Sequence, residues 1–324
     1  MLRSSVCLSA VLGLAFAATT TVGWAQETPA AASAAGSKPD NHSVVFRFSE
    51  KAHLSGRVQL INGTPVTVRT RDWPTIVIAN LSGIADNGFC TATLVGPGVF
   101  LMAAHCLDQR TAELREAFID WGKGKPVLLA CQIHPDYLAP DAKPEPTPRH
   151  SQDYGLCHAD PGSAPQGVKD MRFEVVDTGP VLQQAPVLMM GYGCTDLDKL
   201  QQDKILRVGD ASITAEAGRP GEEPAYARIT SPRVPLHGPP VPALCQGDSG
   251  GPLLTGANMT MQTLSRRVRG VNSSVQDEGS DLVSRVAMLS YPGFAAWARN
   301  FVGQYTGAYI CGLDPTPAGA RCRN

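Results

Sequence analysis

The chain lacks an excess of charge of either sign. Its 324 residues include 28 lysines and arginines and 29 aspartates and glutamates, for a formal net charge of −1. Removal of an N-terminal signal would take away only Arg3 among these, leaving 27 − 29 = −2. Nucleic acids bind proteins mainly through clusters of positive charge, so this balance gives no case for a nucleic-acid partner.

A long apolar run is also missing. The most apolar segment, VCLSAVLGLAFAA near the start, is interrupted by Ser9 and followed by threonines, whereas a membrane-spanning helix needs about 20 apolar residues. The basic start at Arg3, this run and the small residues around Ala25 are typical of a secretory signal peptide. We expect cleavage after Ala25 and a secreted or periplasmic protein without a membrane anchor; the alternative is that residues 1–25 are retained as an anchor.

No two cysteines have the Cys-x-x-Cys spacing of common zinc sites, and the segment CQIH stands alone. We therefore expect neither a metal ion nor another cofactor. Nine cysteines minus Cys7 of the signal leave an even number, which in an oxidising compartment indicates disulfides whose pairing the spacing leaves open. These cysteines are Cys90, Cys106, Cys131, Cys157, Cys194, Cys245, Cys311 and Cys322.

Long segments with helical periodicity are scarce. From Val44 onward, short apolar runs such as PTIVIAN, GVFLMAA and PVLMMGYG alternate with turn residues, and this pattern favours an all-β fold of antiparallel barrels or sandwiches. Near the C-terminus Phe294, Trp297 and Phe301 recur at helical spacing after a Pro-Gly pair and predict one helix.

The segment ALCQGDSGGPLL, residues 243–254, contains the candidate nucleophile Ser249. A serine hydroxyl needs a base that works near neutral pH, and histidine suits that role. Of seven histidines, His105 stands out because FLMAAHC places it at the end of an apolar run and beside Cys106. A disulfide between Cys90 and Cys106 would fix the backbone of this histidine.

A histidine base in turn needs an acceptor that fixes its tautomer. The segment HSQDYGLCHAD offers Asp153 at the entry to a short apolar run, and Asp160 is the nearest rival.

Three motifs, MAAHC, DYGL and GDSGGPL, occur in the order His, Asp, Ser. Together they resemble the motifs of the chymotrypsin/trypsin family of serine endopeptidases. The resemblance implies an all-β fold of two antiparallel six-stranded barrels with a C-terminal helix. The protease domain would span residues 60–302, with the barrels meeting near 165–175, and a tail with a disulfide would follow at 303–324.

The same resemblance implies a secreted enzyme that hydrolyses peptide bonds through an acyl-enzyme, with His105, Asp153 and Ser249 as the catalytic residues. Its partners would be protein or peptide substrates. The alternative from another class is a catalytically silent relative that binds a partner through this scaffold, although such relatives usually lose a residue of the triad.

Further roles follow from the resemblance. The backbone N–H groups of Gly247 and Ser249 would form the oxyanion hole, and Ser273 would hydrogen-bond Asp153. Asp248 would pair with a new α-amino group at Leu60.

That pairing implies cleavage after Gln59. The protein would then be made as a latent precursor, with residues 26–59 as linker and propeptide, and an activating protease would be a further partner.

Specificity is implied by three positions of the substrate pocket. Ala243 stands where trypsin-like members have an aspartate, so a simple preference for arginine or lysine is not supported. Val275 would narrow the pocket, whereas a carboxylate at Asp281 would favour a basic residue by another route. Preferences for small apolar and for basic residues therefore both stay open.

The resemblance also suggests partners for the remaining cysteines. Cys131–Cys157 would tie neighbouring strands of the first barrel, and Cys311–Cys322 would close the tail. Cys194–Cys245 would tie the cleft loop to the serine loop, the segment 243–254 that contains Ser249.

Overall fold

The computed structural model describes most of the chain from Leu60 onward. The described ranges are 60–66, 73–81, 88–108, 116–119, 126–138, 151–159, 171–194, 202–220, 223–234, 240–261, 265–313 and 315–323. The expected signal peptide at 1–25, the segment 26–59 and Asp160 lie outside them.

Strands account for nearly all of the regular structure, as the short apolar runs predict. In chain order they are β1 (Thr64–Pro65), β2 (Ile76–Leu81), β3 (Phe89–Gly96), β4 (Val99–Met102), β5 (Ala117–Ile119), β6 (Val127–Ile133), β7 (Gly155–His158), β8 (Val175–Val176), β9 (Pro186–Gly191), β10 (Arg207–Ser212), β11 (Tyr226–Pro232), β12 (Pro252–Thr255), β13 (Arg267–Asp277) and β14 (Asp281–Met288).

The first half of the chain forms a closed barrel of six strands in the order β2-β3-β4-β7-β6-β5. Every residue of β3 and β4 is buried, which explains why their sequences are almost continuously apolar rather than alternating. The closed barrel leaves no free edge among these strands.

The second half, joined by β1 from the start of the described chain, forms one larger sheet in the order β1-β10-β9-β12-β13-β14-β11, with β8 pairing in parallel with β13. The all-β fold is confirmed, but the second sheet is not a fully closed barrel within the described residues. The segment after β10 meets β11 through an isolated bridge between Ala215 and Arg228 and not through a ladder of strand pairs. The chain leaves β10 at Ser212, before a continuous ladder with β11 can form.

The C-terminal helix, α1, spans Phe294–Val302 and is the predicted one. Phe294, Ala298 and Phe301 are its buried residues and face the core, in keeping with helical spacing. Within the described part of the chain, no helix has the length and apolarity needed to cross a membrane.

The connections place the predicted catalytic residues where the two halves meet. His105 follows β4 and Asp153 precedes β7, both in the first barrel, whereas Ser249 precedes β12 of the second sheet. The tail packs on the segment between the two halves, since the backbone of Cys322 forms an isolated β-bridge with that of Phe173.

Candidate active site

His105 lies in a buried 3₁₀ turn, Ala104–Cys106, directly after β4. A disulfide from Cys106 to Cys90 ties this turn to β3. The other described histidines, His134 and His158, pack against aromatic rings. His105 is therefore the described histidine that meets a fully buried carboxylate.

That carboxylate belongs to Asp153, which has no exposed surface. Its Oδ1 accepts the backbone N–H of His105 at 2.8 Å, and its Oδ2 lies 2.6 Å from the ring Nδ1. Burial by itself raises the pKa of Asp153, but the charge of His105 and hydrogen bonds from His105 and Ser273 outweigh it and lower the pKa below its ordinary value. Asp153 is thus ionised, so Nδ1 carries the proton and Nε2 is the basic nitrogen.

A chain of hydroxyl groups supports Asp153 from the second sheet. The Ser273 hydroxyl donates to Asp153 Oδ2 at 2.5 Å, which is the bond that the resemblance implies, and Tyr226 Oη lies 2.8 Å from Ser273 Oγ. Because Ser273 gives its only proton to the carboxylate, Tyr226 is the donor of the second bond. Tyr226 is not predictable from the sequence, since no motif marks its position in β11.

Ser249 is close to this group but does not bond to the imidazole. Its Oγ donates to the backbone oxygen of Ser273 at 3.5 Å, and Nε2 of His105 has no hydrogen-bond partner among the described residues. Catalytic hydrogen bonds are often long or unformed in ligand-free proteins and tighten when substrate binds. Rotation about χ1 of Ser249 is the movement that would change this partner.

The turn that carries Ser249 requires glycine at Gly247. Its φ is +99°, a conformation that is costly for a residue with a Cβ atom, and an added Cβ would lie 3.0 Å from the Phe89 ring. Neither its N–H nor that of Ser249 donates a hydrogen bond to another described residue. Two free backbone donors on one turn are what an oxyanion hole requires.

Thr91 of β3 fastens the turn to the first barrel. Its N–H donates to the backbone oxygen of Ser249 and its hydroxyl to that of Gly247, both at 2.8 Å. Gly250 approaches so closely that an added Cβ would collide with the Thr91 carbonyl oxygen. Thr91 is not predictable from the local sequence, because its hydroxyl contacts a residue 156 positions away.

The Asp248 side chain is fully buried and points away from the free N–H groups of Gly247 and Ser249. Its two oxygens accept the N–H groups of Gly193 and Cys245, each at 2.8 Å. Burial raises the pKa of Asp248 to about 7, although these hydrogen bonds and the charge of Arg207 act to lower it. In the uncut chain Leu60 has no ammonium group, and within the described residues no hydrogen bond or ion pair joins it to Asp248.

Two of the three residues that the sequence predicts for the substrate pocket share one apolar environment. Ala243 and Val275 are buried in the same hydrophobic cluster. Asp281, at the start of β14, is only half-buried, and its Oδ2 accepts the hydroxyl of Ser280 at 3.0 Å. The structure therefore gives the carboxylate a local partner in its own loop.

The cysteines named in the sequence analysis form four disulfides in the described residues, in the pairs named there: Cys90–Cys106, Cys131–Cys157, Cys194–Cys245 and Cys311–Cys322. The one group of potential metal ligands that the described residues bring together is Cys90, His105 and Cys106. Its two sulfurs are bonded to each other, so neither is a thiolate that would bind a metal ion.

Comparison with known proteins agrees with this arrangement. The family model described as Trypsin matches residues 61–297, well over half of the chain, and this range contains the histidine, aspartate and serine motifs. A search of the curated proteins finds no match. Range, fold and order of motifs place the chain in the trypsin family.

Proposed function

We propose that this trypsin-like serine protease is a secreted endopeptidase whose nucleophile is Ser249, with His105 as its base and Asp153 as the partner of the base. The observation that carries the proposal is the 2.6 Å contact between His105 Nδ1 and ionised Asp153, combined with an Nε2 that has no other partner among the described residues. An imidazole held in this tautomer is ready to accept the serine proton.

The reaction follows from the positions of these atoms. Substrate binding turns Ser249 Oγ from the Ser273 carbonyl toward His105 Nε2. Oγ attacks the scissile carbonyl carbon, its proton passes to Nε2, and the carbonyl oxygen becomes an oxyanion facing the N–H groups of Gly247 and Ser249. His105 then protonates the leaving amine, and a water molecule deprotonated by the same nitrogen hydrolyses the acyl-enzyme.

The four disulfides support export of the protein, because disulfides form and persist in oxidising compartments. A signal at residues 1–25 and a propeptide at 26–59 complete the proposal. Asp248 supports a precursor because burial raises the pKa of its carboxyl to about 7 and this carboxyl forms no ion pair within the described residues. A new ammonium at Leu60 would supply an ion-pair partner and hold the carboxylate ionised.

For the substrate, we propose a preference for small apolar side chains before the scissile bond. Ala243 and Val275 offer an apolar surface, and the hydroxyl of Ser280 already satisfies one oxygen of Asp281. A carboxylate that is half exposed gives less discrimination in favour of a basic side chain than a buried one does.

The decisive experiment is labelling with a fluorophosphonate probe, which reacts with activated serines. The uncut chain, the chain processed before Leu60 and its Ser249→Ala variant are compared. Labelling of the processed chain that disappears in the variant is expected, together with weak labelling of the uncut chain. A folded processed chain without label would overturn the proposal in favour of a catalytically silent protein. Equal labelling of the uncut and the processed chain would overturn the proposal that the uncut chain is a latent precursor.

A further inference from the structure

Cys194 touches the serine loop in two ways, neither of which the proposed mechanism uses. Its side chain forms the disulfide with Cys245, and its backbone N–H donates to the carbonyl oxygen of Gln246 at 2.8 Å. Both cysteines are completely buried. A second donor, Nε2 of Gln202, reaches the same oxygen at 3.2 Å.

The direction of this carbonyl decides the direction of the neighbouring N–H. A trans peptide group is planar, so its C=O and N–H point to opposite sides. With the Gln246 oxygen held toward Cys194, the N–H of Gly247 faces the other way, where it is free of any hydrogen bond within the described residues. A flip of this one peptide group would replace the donor by a carbonyl oxygen, which repels an oxyanion.

Gly247 cannot fix this orientation by itself. Glycine populates positive and negative φ with similar ease, so its own φ of +99° does not exclude the flipped arrangement. The hydroxyl of Thr91 holds the other carbonyl, that of Gly247. The Gln246–Gly247 peptide depends on donors from the segment that contains Cys194 and Gln202.

We propose that Cys194 is a positioning residue for the oxyanion hole: its disulfide to Cys245 keeps its N–H on the Gln246 carbonyl and thereby keeps the N–H of Gly247 directed at the reacting oxygen. The inference rests on the proposed function and adds to it the element that orients the first oxyanion donor.

The other disulfides of the described chain allow a matched comparison. Cys131–Cys157 joins β6 to β7, and Cys311–Cys322 closes the tail. In the tail the N–H of Cys311 donates to Val95, far along the chain from the serine loop. Loss of the tail disulfide therefore measures the general effect of removing a crosslink.

The test compares Cys194→Ser/Cys245→Ser with Cys311→Ser/Cys322→Ser in the processed full chain. For a peptide amide substrate, the first pair of substitutions is expected to lower kcat about 10- to 10³-fold, the upper limit being the loss of one oxyanion donor. KM should change by less than about threefold and the pH profile should keep its midpoint, because His105 and Asp153 are untouched. The tail variant should keep kcat within about twofold at temperatures well below its Tm.

A further readout does not depend on turnover. Hydrogen exchange at the Cys194 N–H should be slow in the parent protein, because of its bond to Gln246, and faster in the Cys194→Ser/Cys245→Ser variant. The Gln202→Ala variant keeps the disulfide and should lower kcat only a few-fold, which provides a test if the double variant fails to fold.

Unchanged kcat in the Cys194→Ser/Cys245→Ser variant would overturn the inference. Equal falls of kcat in both double variants, or a rise in KM alone, would do so as well, since either would show a general or substrate-binding effect. An inactive parent protein would contradict the proposed function instead, and the exchange rate at Cys194 would still decide whether the disulfide holds this hydrogen bond.

Discussion

Replacing Glu174 by glutamine tests a buried charge network that joins three parts of the chain. The Glu174 carboxylate has no exposed surface. It accepts the hydroxyl of Thr75 at 2.6 Å and the Nε and Nη2 groups of Arg266 at 2.9 and 2.6 Å, and it forms an ion pair with Arg323 at 3.0 Å. One carboxylate thus connects the first barrel, the second sheet and the tail.

The expected loss follows from what glutamine would leave behind. Arg266 is 1% exposed, and its guanidinium lies 3.7 Å from the Trp73 ring centroid, so it cannot reach water without disrupting this stacking. Removing one partner of a buried ion pair costs about 3–5 kcal/mol. Since each kcal/mol lowers the Tm of a chain of this size by about 2–4 °C, we expect a fall of roughly 6–20 °C.

The assay is reversible unfolding by guanidinium chloride, followed by tryptophan fluorescence, together with calorimetric Tm values. Both are measured in a Ser249→Ala background, which prevents self-digestion of unfolded chains. The control is Glu278→Gln. Glu278 forms an ion pair with Arg228, and the two side chains are 39% and 28% exposed, respectively. This pair should contribute no more than about 1 kcal/mol to the free energy of unfolding. If Glu174→Gln were no more destabilising than this control, the reasoning about buried charge would be refuted.

Three further predictions concern the site. Asp153→Asn should lower kcat about 10⁴-fold with little change in Tm, because the amide stabilises the wrong tautomer of His105; steady-state kinetics would contradict this if kcat fell less than about tenfold. The folded-state pKa of Asp248, about 7, lies above its reference value of 3.8, so the folded chain keeps this proton over a pH range in which the unfolded chain loses it. In the uncut chain the free energy of unfolding should therefore fall by about 4 kcal/mol as pH rises from about 4 to 7. This carboxyl should cause no change above or below that window. Urea unfolding of an inactive uncut chain should show this fall in the free energy of unfolding with pH, whereas its Asp248→Asn variant and a chain cut before Leu60 should not. An equal pH dependence in the uncut chain and the Asp248→Asn variant would contradict the raised pKa of Asp248. Asp281→Ala should change kcat/KM for alanine and valine peptides by less than about threefold, and a large loss for arginine peptides in the same panel would instead favour the basic preference.

The features that the sequence predicts correctly are those encoded within short contiguous segments. The fully buried strands β3 and β4 appear as apolar runs, and the spacing of Phe294, Trp297 and Phe301 is sufficient to predict α1. The contact of His105 with Asp153 is likewise present, and His105 stands out among seven histidines because a cysteine and an apolar run flank it in the sequence; its role as the base stays a prediction.

Features that depend on pairing between distant segments are not predictable in this way. Thr91 shares no motif with Gly247, yet its hydroxyl fixes the carbonyl of that residue. The Glu174 network likewise unites residues from positions 75 to 323, each unremarkable in its local sequence. The incomplete closure of the second sheet depends on where β10 ends relative to β11, which apolar patterning does not specify.

The orientation of the Gln246–Gly247 peptide illustrates the same limit inside the most specific motif of the chain. GDSGG supplies the residue types, and glycine at 247 permits the required φ, but permissiveness favours no single direction of a peptide group. The direction is decided by the donors to the Gln246 carbonyl, Gln202 and the N–H of Cys194, and Cys194 lies 52 positions earlier in the sequence. A chain with all three motifs intact and Cys194 replaced would therefore still resemble a protease in its sequence, although it would lack the disulfide that we propose to orient the Gln246–Gly247 peptide.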